Sequence, residues 1–329
     1  MRPWSHLRDV LARHDRAAMV TVVSTKGSAP REAGARLIVH PDGSFTGTVG
    51  GGTLEWRAIA LAQSLLSKPS ADRAQIRKFA LGPELGQCCG GQVELIVELI
   101  GERESAMVAD LAAHEASGAF ATRARVSTTD GVRREVVGGT DISAESAAWE
   151  DDLLLESFGE DPRPLLLFGA GHVGRALVLS LAPLPFGVKW IDPRPGAFPA
   201  YLPANTTALQ LEDPVEALSG AAAGTFVLVM SHSHPLDLAI VAAALGDERF
   251  PYVGLIGSAT KRARFEKRLA EGGVARQRIE TLVCPIGIDG IGSKLPSSIA
   301  AATAAQLLIR DEALRAAKSV PVAHRRLAG

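Results

Sequence analysis

The sequence predicts an α/β protein in two parts, with a doubly wound parallel sheet in the second half and a separate α+β domain in the first. Three observations predict this. The chain has 329 residues, beyond the roughly 100 to 200 of one domain. From Pro164 onward apolar strand-like runs alternate with helical patterns, as parallel sheets with crossover helices require. And the run Leu165-Leu166-Leu167-Phe168 breaks directly into Gly169-Ala170-Gly171-His172-Val173-Gly174. The boundaries drawn are 1–160 and 161–329.

In the first half, Trp4, Leu7, Val10 and Leu11 recur at helical spacing, and Ala18 to Thr25 reads as a strand. Leu37 to His40 and Ser44 to Thr46 flank Pro41-Asp42-Gly43, a hairpin turn in which Pro presets one angle and Gly accepts positive φ. Leu54 to Leu66 is expected to be a helix. Val93, Leu95, Val97 and Leu99 alternate with Glu94, Ile96, Glu98 and Ile100, a strand buried on one face and partly on the other. A charged helix near Glu104 to Glu115 and a hairpin through Thr128-Thr129-Asp130-Gly131 follow, then an acidic stretch from Glu150 to Asp161. Asp161-Pro162-Arg163-Pro164 is the expected linker, because paired prolines suit neither helix nor strand interiors.

In the second half, strands are expected at Leu165 to Phe168, Val188 to Asp192, Thr225 to Ser231 and Tyr252 to Ile256, with helices from His172 and from Pro235. In Gly-x-Gly-x-x-Gly the first glycine permits the tight turn, the second lets backbone approach a pyrophosphate, and the third lets helix lie close to strand. Asp192 ends the next strand, near the distance at which an acid meets a ribose hydroxyl. The second half is therefore read as Rossmann-like.

The charge balance narrows the partners. Lys and Arg number 35 against 36 Asp and Glu, a net charge of -1, so there is no general attraction to nucleic acid. Charged residues Arg2, Arg8, Asp9 and Arg13 break up the N-terminus, and no run approaches the roughly 18 apolar residues of a membrane span. A cytoplasmic location is expected. Three cysteines, two of them adjacent, suit neither a disulfide framework nor a four-thiolate zinc site.

Several loops carry polar chemistry. Ser231-His232-Ser233-His234-Pro235-Leu236-Asp237 follows an apolar strand, and its residues suit zinc, a general base or a helix cap with a hydrogen-bonded histidine. Gly257-Ser258-Ala259-Thr260-Lys261-Arg262 starts a helix with two cations, a place for an anion or a solvated basic face. Gly287 to Lys294, before Pro296, offers several free amides. In the first half, Gly50-Gly51-Gly52-Thr53 joins strand to helix with backbone amides unshielded by side chains. A phosphate-bearing ligand or a turn capped by Thr53 accounts for it. Gly86-Gln87-Cys88-Cys89-Gly90-Gly91 is rarer: adjacent thiols ringed by glycine face a ligand, and Gln87 adds an amide for a polar ring edge.

These residues together resemble the XdhC/CoxI family of xanthine dehydrogenase accessory proteins. Gly27-Ser28-Ala29-Pro30-Arg31, the triple-glycine loop, the double-cysteine loop, Gly169 to Gly174, Ser231 to Asp237, Gly257-Ser258 and Cys284-Pro285-Ile286-Gly287 carry the resemblance across nearly the whole chain. Some members place a cysteine directly after the triple glycine, where this chain has Thr53. The resemblance implies a chaperone more than an enzyme. Such a protein binds the molybdenum cofactor (molybdopterin) and holds it while a cysteine desulfurase supplies the sulfido ligand. It then delivers the cofactor to the molybdenum subunit of apo-xanthine dehydrogenase.

On that reading Gly50 to Thr53 take the cofactor's phosphate, Gln87, Cys88 and Cys89 sit near its metal, with Cys88 and Cys89 as the candidate metal ligands, and Gly90 is a further cofactor-binding residue. Gly169, Gly171, His172, Gly174 and Asp192 would take a nucleotide or the pterin in the Rossmann-like half, with His232, Ser258 and Lys261 beside them. A homodimer is expected. Two other classes stay open at this point. One is an NAD(P)-dependent oxidoreductase using Asp192 with His232 or His234. The other is a metal-dependent hydrolase using His232, His234 and Asp237.

Overall fold

The computed structural model describes residues 2–67, 72–86, 90–138, 147–159 and 161–318. Contacts divide the chain into two units, Met1–Asp161 and Pro162–Gly329.

The first unit opens with α1 (Pro3–Leu11), β1 (Arg16–Lys26), the hairpin β2 (Arg36–Val39) and β3 (Phe45–Gly47), and α2 (Gly52–Ser67). It continues with β4 (Ala74–Ala80), the short α3 (Leu81–Leu85), β5 (Gln92–Gly101) and α4 (Ser105–Ser117). The antiparallel strands β6 (Phe120–Ser127), β7 (Gly131–Val137), β8 (Ala147–Glu150) and β9 (Leu153–Phe158) complete it. One antiparallel sheet has the order β3-β2-β1-β5-β4 and a second the order β7-β6-β9-β8. Strand β1 is buried on both faces, which explains its unbroken apolar run: Ala18, Val20 and Val22 pack with Leu54, Ala58 and Ala62 of α2. Ala17 and Met19 pack with Trp4 and Leu7 of α1 and with Val108 and Leu111 of α4. Helix α1 has no side-chain cap of its own; Glu115 of α4 accepts from the backbone N–H of Ser5 at 2.8 Å instead.

A buried ionic network joins the two sheets. Arg134 on β7 donates to both oxygens of Glu98 on β5, at 2.9 and 2.6 Å, and to Glu156 on β9 at 2.6 Å. Arg36 on β2 donates to Glu156 at 3.3 Å. The Arg36 and Arg134 guanidinium groups lie over Phe158 and Trp4, at 4.0 and 4.8 Å from the ring centroids. Burial pushes the Glu98 carboxyl up despite Arg134, whereas two guanidinium partners hold Glu156 down even though burial opposes them.

The second unit alternates β10 (Arg163–Phe168), α5 (His172–Leu181), β11 (Phe186–Ile191), β12 (Thr206–Leu209), β13 (Phe226–Val229), α6 (His234–Leu245) and β14 (Tyr252–Leu255). Helices α7 (Ala259–Glu271), α8 (Arg276–Glu280) and α9 (Pro296–Lys318) end it. All five strands are parallel, in the order β12-β11-β10-β13-β14. This is the doubly wound half-sheet whose direction of winding reverses between β10 and β13. Leu166, Phe168, Val227 and Val229 face α6 and α7, while Leu165, Leu167 and Phe226 face α5 and α9. The fold is therefore a Rossmann-like parallel sheet following an α+β unit. The sequence reading placed Arg163 and Pro164 in a linker, but both belong to the central strand. Pro164 pairs opposite Gly187 as its second residue, near a strand start where a missing N–H costs least.

Among the described residues no helix is long and apolar enough to cross a membrane.

Candidate functional site

In the first unit, three of the sequence's glycine-bearing segments converge. A Cβ on Gly50 would stand 2.5 Å from Pro30 Cγ, and one on Gly91 would stand 2.3 Å from the Ser28 carbonyl oxygen. The backbone N–H of Gly91 donates to that same oxygen at 3.1 Å. The segment Gly27 to Arg31 is thus wedged against both the triple-glycine loop and the end of the double-cysteine loop. Gly86 closes α3 in the left-handed conformation (φ 61°), and Gly86 and Gly90 are exposed. Gln87, Cys88 and Cys89, to which the metal end of a ligand was assigned, lie outside the described residues.

The amides of the triple-glycine loop are partly occupied by the chain itself. Glu55, in the first turn of α2, accepts from Val49 N–H at 3.1 Å, from Gly51 N–H at 3.3 Å and from the Thr48 hydroxyl. Gly50 N–H donates to Thr48 Oγ1 at 3.1 Å. The amides of Gly52 and Thr53 belong to the first helical turn and have no intrahelical acceptor. Beside the loop's base is a pocket of about 190 Å3 lined by Arg31, Gly34, Arg36, Gly47, Thr48 and Phe158, among others. It brings two guanidinium groups next to the glycine loop. Sequence reading missed Arg36 and Glu55; the first pairs across 120 residues, and the second is an ordinary first-turn acid by its position.

In the second unit, an open cleft of about 730 Å3 lies beyond the carboxyl ends of β10 and β13. Gly169, Gly171, His172, Gly174, Arg175, Arg194, Ser231 and His232 line it. The motif glycines do different work. A Cβ on Gly169 would stand 2.4 Å from the Met230 carbonyl, and one on Gly174 would stand 2.2 Å from the Gly169 carbonyl. A Cβ on Gly171 would meet nothing within 4 Å. Two of the glycines are therefore demanded by the protein's own packing. Gly171 alone keeps free backbone at the mouth of the cleft, at the N-terminus of α5, where anions are favoured.

Asp192 is turned under this loop. It is 1% exposed and accepts from Ala170 N–H at 2.7 Å, from Arg194 N–H at 3.0 Å, and from the Arg194 guanidinium at 2.9 and 2.8 Å. Those hydrogen bonds, with Arg194 first, outweigh burial and hold its carboxyl at about 2. The group facing the cleft is Arg194, half-exposed, rather than the acid.

Ser258 and Lys261 lie elsewhere. Ser258 caps α7, accepting from Lys261 N–H at 3.3 Å. The two residues line a separate hollow of about 550 Å3 with His234, Arg264, Lys267 and Arg268. Lys261 Nζ donates to Asp237 at 2.7 Å and to the Ile256 carbonyl at 2.9 Å. The other Asp237 oxygen accepts from Ser231 Oγ at 2.6 Å and Ser231 N–H at 3.1 Å. A buried relay Lys261–Asp237–Ser231 therefore ends at the cleft floor. His232 faces the cleft, His234 faces the other hollow, and Asp237 is committed to Lys261, so these three do not assemble a hydrolase centre. Among the described residues no group of three His, Cys, Asp or Glu side chains stands ready to hold a metal. Cys284 is buried, and burial pushes its thiol up in spite of Lys261 and Arg262.

Comparison with known proteins agrees with this architecture. YqeB of Escherichia coli (strain K12), described as an uncharacterized protein, is 27% identical over 296 residues. The match covers 88% of this chain and 43% of YqeB, so the chain spans less than half the length of that curated relative. A crystal structure described as a xanthine dehydrogenase from Bacillus halodurans superposes with a TM-score of 0.75 at 20% identity. It covers 94% of this chain and 96% of that one, and at such identity the likeness establishes the fold. Residues 165–307 match the XdhC Rossmann domain and residues 10–77 match the XdhC and CoxI family. By these two matches, one in each unit, the chain belongs to the XdhC and CoxI family.

Proposed function

We propose that this protein binds the molybdenum cofactor, shields it while a cysteine desulfurase supplies the sulfido ligand, and delivers it to apo-xanthine dehydrogenase. Family membership supports a role in xanthine dehydrogenase maturation. One observation carries the finer reading: the triple-glycine loop and the flank of the double-cysteine loop meet on the Ser28–Pro30 segment, beside a pocket lined by Arg31 and Arg36. Molybdopterin bears a phosphate, a polar pterin ring and a dithiolene-bound metal. First-turn amides of Gly52 and Thr53 with Arg31 suit the phosphate, and Cys88 and Cys89 suit a soft metal or its sulfur. The protein would act as a cytoplasmic homodimer.

The deciding experiment is anaerobic incubation of purified protein with isolated molybdenum cofactor, rapid gel filtration, and quantification of bound molybdenum and pterin. Near-stoichiometric retention is expected, weakened in Cys88→Ser or Cys89→Ser with the fold unchanged. No retention would overturn the proposal, and unchanged retention in both variants would remove the thiols from the site.

A second reading, an NAD(P)-dependent oxidoreductase, draws on the cleft around Gly171. Tight NAD(P)H binding with a spectral change, in a protein that retains no molybdenum cofactor, would favour it.

A further inference from the structure

Three of the chain's eight histidines gather in the first unit, and none of them belongs to the site described above. His6 lies on α1, His14 follows that helix, and His40 follows β2. The Nε2 atoms of His6 and His40 are 3.2 Å apart, and the rings of His14 and His40 are 6.3 Å apart between centroids.

The proton positions follow from counting. Ser44 Oγ has one hydrogen and gives it to Asp42 Oδ1 at 2.7 Å. Toward His40 Nδ1, at 3.0 Å, that hydroxyl can then only accept. His40 therefore carries its proton on Nδ1 and presents a lone pair on Nε2. His6 answers with an Nε2–H. Two imidazoles thus point their Nε2 atoms at one another, one of them locked in a single tautomer by an Asp42–Ser44 chain.

We propose that His6 and His40 form a binding site for a divalent transition metal of the zinc, copper and nickel class, held between their Nε2 atoms with water completing its coordination. Zinc–imidazole bonds of about 2.0 to 2.1 Å in tetrahedral geometry set ligand nitrogens roughly 3.3 to 3.4 Å apart. The observed 3.2 Å is close to that spacing, and each ring turns so that its lone pair meets the metal off the line between the two nitrogens. On binding, His6 shifts its proton from Nε2 to Nδ1, so both rings stay neutral and no proton is lost from either. Asp42 and Ser44 act as the outer shell that fixes a ligating histidine. Arg13 adds a positive charge nearby, which Asp9 and Asp42 offset. His14 is outside coordination distance as it stands, which leaves positions open to water. Neutral imidazole selects zinc, copper and nickel over magnesium and calcium.

The test uses tag-free, full-length protein carrying Cys88→Ser and Cys89→Ser, so that thiols do not compete and the outcome is independent of the cofactor proposal. Cu2+ is followed by electron paramagnetic resonance and Zn2+ by competition titration. One metal per chain with two imidazole nitrogens is expected. His6→Gln and His40→Gln should each weaken binding by about tenfold or more, and Ser44→Ala, which leaves both ligands in place, by about tenfold. Absence of a one-to-one metal complex would overturn the proposal, as would affinity indifferent to both histidine substitutions. Unchanged affinity in Ser44→Ala would overturn the tautomer argument.

Discussion

Replacing Lys261 with methionine keeps the length and apolar stem of the side chain and removes its charge. Asp237 is 0% exposed and the Lys261 side chain 13%, so the aspartate would be left charged without a cation. Its remaining donors would be the Ser231 amide and hydroxyl. Removing one partner of a buried pair costs about 3 to 5 kcal/mol. Because Ser231 still serves one carboxylate oxygen, the lower end is expected, about 3 kcal/mol, or roughly a hundredfold in an opening equilibrium. A two-unit chain need not unfold in one step, so the assay is hydrogen exchange of the β13 and α6 amides, which reads local opening directly. Adding Asp237→Asn to Lys261→Met removes the orphaned charge and should restore about half of the loss or more. A single-variant cost below about 1 kcal/mol, or no recovery in the double variant, would refute the reasoning that Asp237 depends on Lys261.

Arg134→Met should be among the most damaging changes in the first unit, about 3 to 5 kcal/mol by urea unfolding, since it strands Glu98 in the core and leaves Glu156 with Arg36 alone. Gly174→Ala should disrupt the second unit because of the Gly169 carbonyl, whereas Gly171→Ala should leave thermal stability unchanged within error and abolish any ligand held in the cleft; calorimetry and a binding titration separate the two. Asp192, held at about 2 against about 3.9 unfolded, contributes stability that is present above about pH 4 and lost as pH falls through 2. Arg194→Ala should remove about 1 kcal/mol of it at pH 7, after discounting for the half-exposed guanidinium, and flatten the acid limb of the stability profile.

What the sequence made legible follows the range of the forces involved. Gly174 is constrained by the Gly169 carbonyl a turn away, whereas Gly169 packs on distant Met230 and Gly171 meets nothing; the glycine spacing between an apolar run and a helical pattern is nevertheless local and alone predicts the strand, the loop and the helix. That the sheet is parallel follows from alternation of apolar runs with helical patterns. Strand β9 was hidden because Glu150, Asp151, Asp152 and Glu156 make its surroundings read as an acidic connection. Glu156 is instead buried against Arg134 and Arg36, partners 22 and 120 residues away. A charge in a strand looks like a loop until its counter-charge is in place. The same distance conceals His6 from His40. Asp192 fails differently: the acid was found at the predicted strand end, but Arg194, two residues on, claims both of its oxygens.

Glu55 and Asp192 play parallel parts in the two units. Each glycine-rich loop has amides that would otherwise lack acceptors, and in each an internal carboxylate takes some of them: Val49 and Gly51 in one, Ala170 in the other. The loops are therefore held in shape before any ligand arrives, which reduces the ordering cost of binding. An internal carboxylate would also repel a phosphate brought to the loop, so a cation would have to compensate. Arg31 stands beside the first loop and Arg194 beside the second. Under the proposed function, the residues left to meet a phosphate would be the first-turn amides of α2 and α5, at Gly52 and Thr53 and at His172 and Val173, together with those two arginines. Four of those six residues were visible in glycine-rich sequence. The arginines acquire their meaning only once Glu55 and Asp192 are seen to be spoken for.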